Sequence, residues 1–337
     1  MRFRWLMVVL FSTLVVFGCE SPPSSATGGP AGSAKAEPEA VSIGVAIPSY
    51  VHAIAWIAAD RGAFADGGVA PEITVTGGSA AALRTLIAKQ SDVVLAGGDA
   101  VLKANRAGAD VVVVASFVNR FYHRIVANKE LATAKDLRGK TIGLPFLGGP
   151  QDMAVKHGLR EHGLSYEDDV KVVGLGKELN RVAALKRGEI DATTSQTPDA
   201  KLEELGLHVV IDPTKADTGF PYMVMAVRRD VLSARRDAIV GALGALCEAT
   251  AFYKDAKNEK ASLAILDARL SGSDTEGASA ARYATTGPSF LSYPPAPAIE
   301  AFELVGELTG KALSESERKM IDASVIEDAR KTGHCKP

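Results

Sequence analysis

VTGGSAAALRTLIAKQSDVVLAGGDA, residues 75–100, holds two glycine pairs, Gly77-Gly78 before Ser79 and Gly97-Gly98 before Asp99. Each pair follows a short apolar run and precedes a segment with helical spacing, and Ser79 and Asp99 are residue types that cap helices. Strand, glycine corner, helix and strand again is the rhythm of a parallel sheet covered by helices. The pattern extends in both directions. Upstream, VSIGVAI reads as a strand and IAWIAADRGAF as a helix, with Gly62 placed where a C-cap falls. Downstream, DAVLKANRAG reads as a helix and DVVVVASFV as a fourth strand.

The rhythm restarts at DLRGKTIGLP. TIGLPF, VKVVGL, DATTS and HVVID read as strands, separated by the helical segments PQDMAVKHGLREHG, NRVAALKRGE and PDAKLEELG. LIAKQSDVVLAG and LKRGEIDATTSQ echo each other, aligning Leu86 with Leu185 and Asp92 with Asp191. Both read helix, tight turn, aspartate, strand. After Pro221, YMVMAVRR reads as a strand and the remainder as helices, which are expected to pack back on the first unit for want of a sheet of their own.

At 337 residues the chain is long enough for two lobes. Hydrophobic residues at 47% and charged residues at 23% are ordinary for a globular protein, and a net charge of −2 speaks against a nucleic-acid partner. The amino terminus differs in kind. Arg2 and Arg4 precede an apolar run, Trp5 to Phe17, that is too short to span a bilayer, and Gly18-Cys19 follows. This end resembles a bacterial lipobox, which implies a signal peptide over 1–18 and lipidation of Cys19. Residues 19–40 are rich in Pro, Ser, Gly and Ala without apolar periodicity, and read as a disordered tether. Cys247 and Cys335 remain: they either pair, as export permits, or stand as a buried thiol and a tail thiol.

In open parallel sheets, ligands bind beyond the carboxyl ends of the strands. Five corners fall there: PSYVH (48–52), GGSA (77–80), GGDA (97–100), GGPQD (148–152) and SQTPD (195–199). Each sets backbone N–H groups at a helix start, where the helix dipole favours a polar or anionic group. Taken singly each is a turn with a cap; five together point to a shared cleft.

The stretches VSIGVA, AADRGAFADGGVAPEITVTGGSAAALRTLIAKQSDVVLAG, DLRGKTIGLP and RVAALKRGEIDATTSQTPDA, in this order and spacing, resemble the solute-binding proteins of ABC importers. The branch in question binds taurine, alkanesulfonates, nitrate and thiamine pyrimidine precursors. Lys89 stands where that branch commonly has glycine. The resemblance implies an α/β, two-lobed periplasmic-binding-protein fold of type II. Lobe 1 would comprise 41–118 and 223–337, lobe 2 119–222, with crossings near Asn119–Tyr122 and Phe220–Met223.

It further implies a monomer that captures a small polar or anionic solute and passes it to an ABC transporter permease at a membrane, with no cofactor. The expected site takes Ser49, Tyr50 and His52 from the first corner, Gly78 and Ser79 from the second, and Gly98 and Asp99 from the third. Gly149 and Gln151, Ser195 and Gln196, and Tyr222 complete it. The six histidines are scattered without metal-ligand spacing, and GKT at 139–141 lacks the preceding glycine of a phosphate loop. Two other readings are an enzyme on the same scaffold, with Asp99 and His52 as its candidate pair, and a receptor subunit that senses a solute without transport.

Overall fold

The computed structural model describes residues 37–216, 219–270, 283 and 287–336. The first sheet takes β1 (Glu39–Val45), β2 (Val69–Val75), β3 (Val93–Ala96) and β4 (Val111–Val118). The second takes β5 (Arg124–Asn128), β6 (Lys140–Leu144), β7 (Val170–Gly174), β8 (Ala192–Ser195) and β9 (Leu207–Ile211). The chain then returns to the first sheet as β10 (Met223–Arg228). The orders are β2-β1-β3-β10-β4 and β7-β6-β8-β5-β9. Position for position this is one arrangement built twice. The fourth place in each sheet is held by an antiparallel strand that arrives directly from the other sheet, β10 from β9 and β5 from β4. The two sheets, flanked by helices, are the cores of two lobes.

The helices are α1 (Ile54–Asp60), α2 (Ala63–Asp66), α3 (Ser79–Ile87), α4 (Gly98–Arg106), α5 (Pro150–Glu161), α6 (Glu178–Lys186) and α7 (Asp199–Glu204). The carboxyl-terminal part adds α8 (Arg229–Ala234), α9 (Arg236–Lys254), α10 (Glu259–Leu270), α11 (Gly287–Phe290), α12 (Ile299–Leu308), α13 (Glu315–Arg318) and α14 (Ser324–Lys331). β3 and β4 are buried at every position, which accounts for their unbroken apolar runs, VVLA and VVVVASFV. In the second sheet β5 shows the period of two: Ile125 and Ala127 enter the core on one face, Val126 that on the other.

β5 was not legible as a strand, since RIVAN offers only three apolar residues between polar ones. The helical stretch LSARRDAIVGALGALCEATAFYKDA is divided at Arg235, whose φ of −133° is extended. Its guanidinium pairs with Glu39 and bonds the Ala40 carbonyl, so Glu39 and Ala40, inside the segment read as a tether, are the first residues of β1. Residues 1–36, with Cys19 among them, lie outside the described residues.

The internal echo is structural. Asp92 Oδ2 accepts from Ser42 N–H at 3.0 Å, and Asp191 Oδ2 accepts from Thr141 N–H at 2.8 Å, tying β1 to β3 and β6 to β8 alike. Lys89 and Gly188 hold the same turn in left-handed conformation, with φ of 60° and 72°. Lys89 therefore adopts the geometry of the glycine it replaces.

The carboxyl-terminal helices pack on elements of the first sheet's layer: α9 on α1 and α2, α14 on α9 and β4, and α12 and α13 on α4. A Cys247–Cys335 disulfide fixes the end of the chain to α9. Among the described residues, no helix is long and apolar enough to cross a membrane.

Candidate functional site

The two glycine pairs do different work. Gly77 and Gly78 have φ of 86° and 130° with open space about their Cα atoms, so they serve the backbone path. Gly97 and Gly98 serve close approach. A Cβ on Gly97 would collide with the Asp99 carboxyl and lie 2.8 Å from the Pro150 ring of α5. One on Gly98 would lie 2.7 Å from Pro221 and 2.8 Å from the Phe302 ring. The second pair thus marks where the lobes meet, and Met153 and Ala154 of α5 join the first lobe's core beside Phe121, Phe220 and Phe302.

Several glycines at these corners bond their amides within the protein. Gly78 N–H donates to Ala46 O at 2.6 Å, Gly97 N–H to Ser79 Oγ at 2.9 Å, and Gly98 N–H to Pro221 O at 2.8 Å. Gly148 N–H donates to Asp152 Oδ2 at 2.7 Å. Gly149 has open space around its Cα.

The side chains form one polar strip along the meeting of the lobes. Ser49 Oγ and His52 Nδ1 are 2.8 Å apart in the buried first corner, and burial holds the His52 imidazole down at about 3, so it is neutral. Tyr50 is fully buried in the first core. Gln196 donates its amide N–H to His123 Nε2, which fixes the proton on His123 Nδ1 to donate to Tyr222 Oη at 3.0 Å. Tyr122 stands edge-on to Tyr222 with centroids 4.5 Å apart. Burial pushes the Tyr122 phenol up to about 12 and raises that of Tyr222 well above its ordinary value. Gln151 accepts from the Thr194 hydroxyl, and Ser195 donates to Glu178 at 2.6 Å, so both are engaged within the second lobe.

Asp99, 6% exposed in the first turn of α4, faces Asp152 of α5. Burial pushes its carboxyl up to about 7, the Asp152 charge adding to the effect, against the N–H groups of Ala100 and Asp99. Asp99 Oδ1, Tyr122 Oη and Gln196 Oε1 are buried without a hydrogen-bond partner. Three orphaned oxygens in one strip are costly unless something completes them. Tyr122, His123 and Asp152 were not singled out from sequence. The available signal was Phe121-Tyr122-His123, an aromatic cluster in a chain with 6% aromatic residues. Among the described residues no group of three His, Cys, Asp or Glu is arranged to hold a metal ion.

Comparison with curated protein sequences yields no match. Solved structures do match in fold. The periplasmic aliphatic sulphonate binding protein SsuA of Escherichia coli superposes with a TM-score of 0.64 at 20% identity, over 88% of this chain and 95% of that one. The periplasmic nitrate-binding protein NrtA of Synechocystis PCC 6803 gives 0.67 at 14%, over 88% and 89%. The desulfurization enzyme DszB gives 0.60 at 15%, over 88% and 100%, so the scaffold carries both binding proteins and an enzyme. The sequence profile of the NMT1/THI5-like family matches residues 49–259, which takes in the glycine corners, both crossings and the whole second sheet. By that match, and with the fold of the periplasmic solute-binding proteins, the chain belongs to the NMT1/THI5-like family.

Proposed function

We propose that this protein is an extracytoplasmic solute-binding protein that closes two lobes on a small polar or anionic solute and delivers it to the permease of an ABC transporter. Residues 41–118 and 223–337 would form one lobe and 119–222 the other, turning about the two crossings as hinged binding proteins do. One observation carries the reading: buried side chains from both lobes and both crossings converge on a strip with three uncompleted oxygens. The sulphonate- and nitrate-binding proteins on the same scaffold support it. So does the Cys247–Cys335 disulfide, which suits an oxidising compartment. Cys19 would anchor the chain by lipid, with 19–38 as its leash.

An enzymatic reading needs Asp99 and His52 as a working pair. His52 Nδ1 instead meets Ser49, and Asp99 Oδ1 has no partner. The test is a thermal-shift and calorimetric screen of sulfonates, nitrate, pyrimidines and small carboxylates, with scattering to follow compaction. Saturable binding with closure and no turnover is expected; turnover, or silence across the panel, would refute the reading. Cys19→Ser is expected to move the protein out of the membrane fraction.

A further inference from the structure

Asp99 and Asp152 hold matching places in the two halves of the molecule. Each stands in the first turn of a helix that follows a glycine corner, Asp99 in α4 and Asp152 in α5, and both are buried. The two helices come close. The space that a Cβ on Gly97 would take is bounded by Asp99 Oδ1 and, at 2.8 Å, by the Pro150 ring of α5. Two carboxyl groups thus face each other where the first sheet's layer meets the second's.

The pair is unequal. Asp152 uses both oxygens as acceptors, Oδ2 from Gly148 N–H at 2.7 Å and Oδ1 from the Tyr166 hydroxyl, the pattern of an ionised carboxyl. Asp99 Oδ1 has no hydrogen-bond partner. An ionised Asp99 would therefore be a buried charge set against a second carboxylate, unfavourable on both counts. A proton on Asp99 removes the repulsion. Parting the lobes removes it too, by giving both groups to water.

We propose that Asp99 is a proton-operated latch between the lobes: protonated, it lets α4 and α5 rest together, and ionised, it drives them apart. This rests on the solute-binding reading above and adds a regulation to it. Closing on a solute takes up one proton, so capture tightens as pH falls and slackens as pH rises.

Few other groups bear on Asp99. α5 brings Asp152, α4 itself brings Lys103, and the second crossing brings Tyr222. At the neighbouring glycines α3 contributes only the Ser79 hydroxyl, and α12 the Phe302 ring. β4 and β10, which also pack on α4, carry no ionisable side chain before Arg228 at the end of β10. α13 meets α4 through the Arg106–Glu317 pair, at the opposite end of that helix. Burial, ahead of all these, holds the Asp99 carboxyl up at about 7 while the helices are together, against an ordinary 3.8. Between those two values the apposed state keeps the proton and the parted state has lost it. Opening is therefore favoured by up to about tenfold more per pH unit across that window, and its pH dependence levels off above it.

Small-angle scattering of the full-length protein at pH 5 and pH 8, without solute, tests the latch. Wild type is expected to show the larger radius of gyration at pH 8. Asp99→Asn, which carries no charge, is expected to keep the compact pH 5 radius at both. Asp99→Ser, equally uncharged and suited to a helix start, serves if Asp99→Asn folds poorly. A wild-type radius that does not change with pH would overturn the proposal, and so would a change that survives in the uncharged variants. Either result leaves the solute-binding reading to its own screen, which follows compaction driven by solute at a single pH.

Discussion

Breaking the Cys247–Cys335 bond is expected to lower stability through the unfolded chain rather than through the native contacts. The two cysteines are 88 residues apart and both side chains are buried. Cross-linking ends 88 residues apart removes about 15 cal/mol/K from the unfolded ensemble, or about 4.6 kcal/mol at 25 °C, in the chain-entropy treatment. A folded body of about 300 residues unfolds with an entropy of about 0.6 kcal/mol/K, so the expected drop in Tm is about 7 °C. The native packing around the bond has its own support: the His334 ring fills the space above Gly244, and His334 Nδ1 meets Glu248 Oε1 at 2.5 Å. The assay is calorimetry of oxidised protein against protein unfolded, reduced and refolded under reductant, with near-ultraviolet circular dichroism of both. Near-identical spectra with a Tm lowered by about 7 °C are expected. A shift below about 2 °C would refute the unfolded-state argument, and a changed native spectrum would place the effect in the folded state instead.

Lys89→Gly is expected to stabilise by about 1 kcal/mol in urea titration, by relieving a left-handed φ of 60° at a side chain whose ion pair with Asp230 is solvent-exposed. Gly97→Ala should hold the lobes apart, because its Cβ claims the space of the Asp99 carboxyl and the Pro150 ring. Scattering is expected to show a larger radius of gyration than wild type under solute, and an unchanged radius would contradict the reading. The Glu317 carboxyl is held at about 2, below its ordinary 4.5, first by the Ser314 N–H and then by Arg106 and the Ser314 hydroxyl against the opposing effect of burial. Its folded pKa is depressed, so its contribution is complete above about pH 4.5 and lost as pH falls toward 2. The stability gap between wild type and Glu317→Gln is therefore expected to shrink over that window.

The sequence carried the α/β rhythm because β3 and β4 are buried on both faces and cannot tolerate polar interruption. The echo about Asp92 and Asp191 was legible for a local reason: a tight turn and an aspartate that bonds the neighbouring strand constrain residue types at fixed spacing. β5 escaped because its partners, β8 and β9, lie far along the chain, and pairing rather than composition makes it a strand. The candidate site divides in the same way. Glycine at 97 and 98 announced a close approach but not what approaches, since Pro150, Pro221 and Phe302 come from distant segments. The state of each corner amide depends on acceptors such as Ala46 O and Pro221 O that no local pattern names.

β4 and β10 lie side by side and antiparallel, with Val118 opposite Met223. Everything from 119 to 222 is thus spliced into the tip of what would otherwise be a simple hairpin. Within that insert the first and last strands, β5 and β9, are themselves neighbours, with Ile125 opposite Ile211. The guest leaves the host and returns to it at nearly one point, so the host sheet would keep all five of its strands if the guest were excised and Val118 joined to Met223 by a two-residue turn. The guest, in turn, is a self-terminated module whose ends already meet, the geometry that lets a gene segment be grafted, permuted or exchanged without tearing the scaffold that receives it.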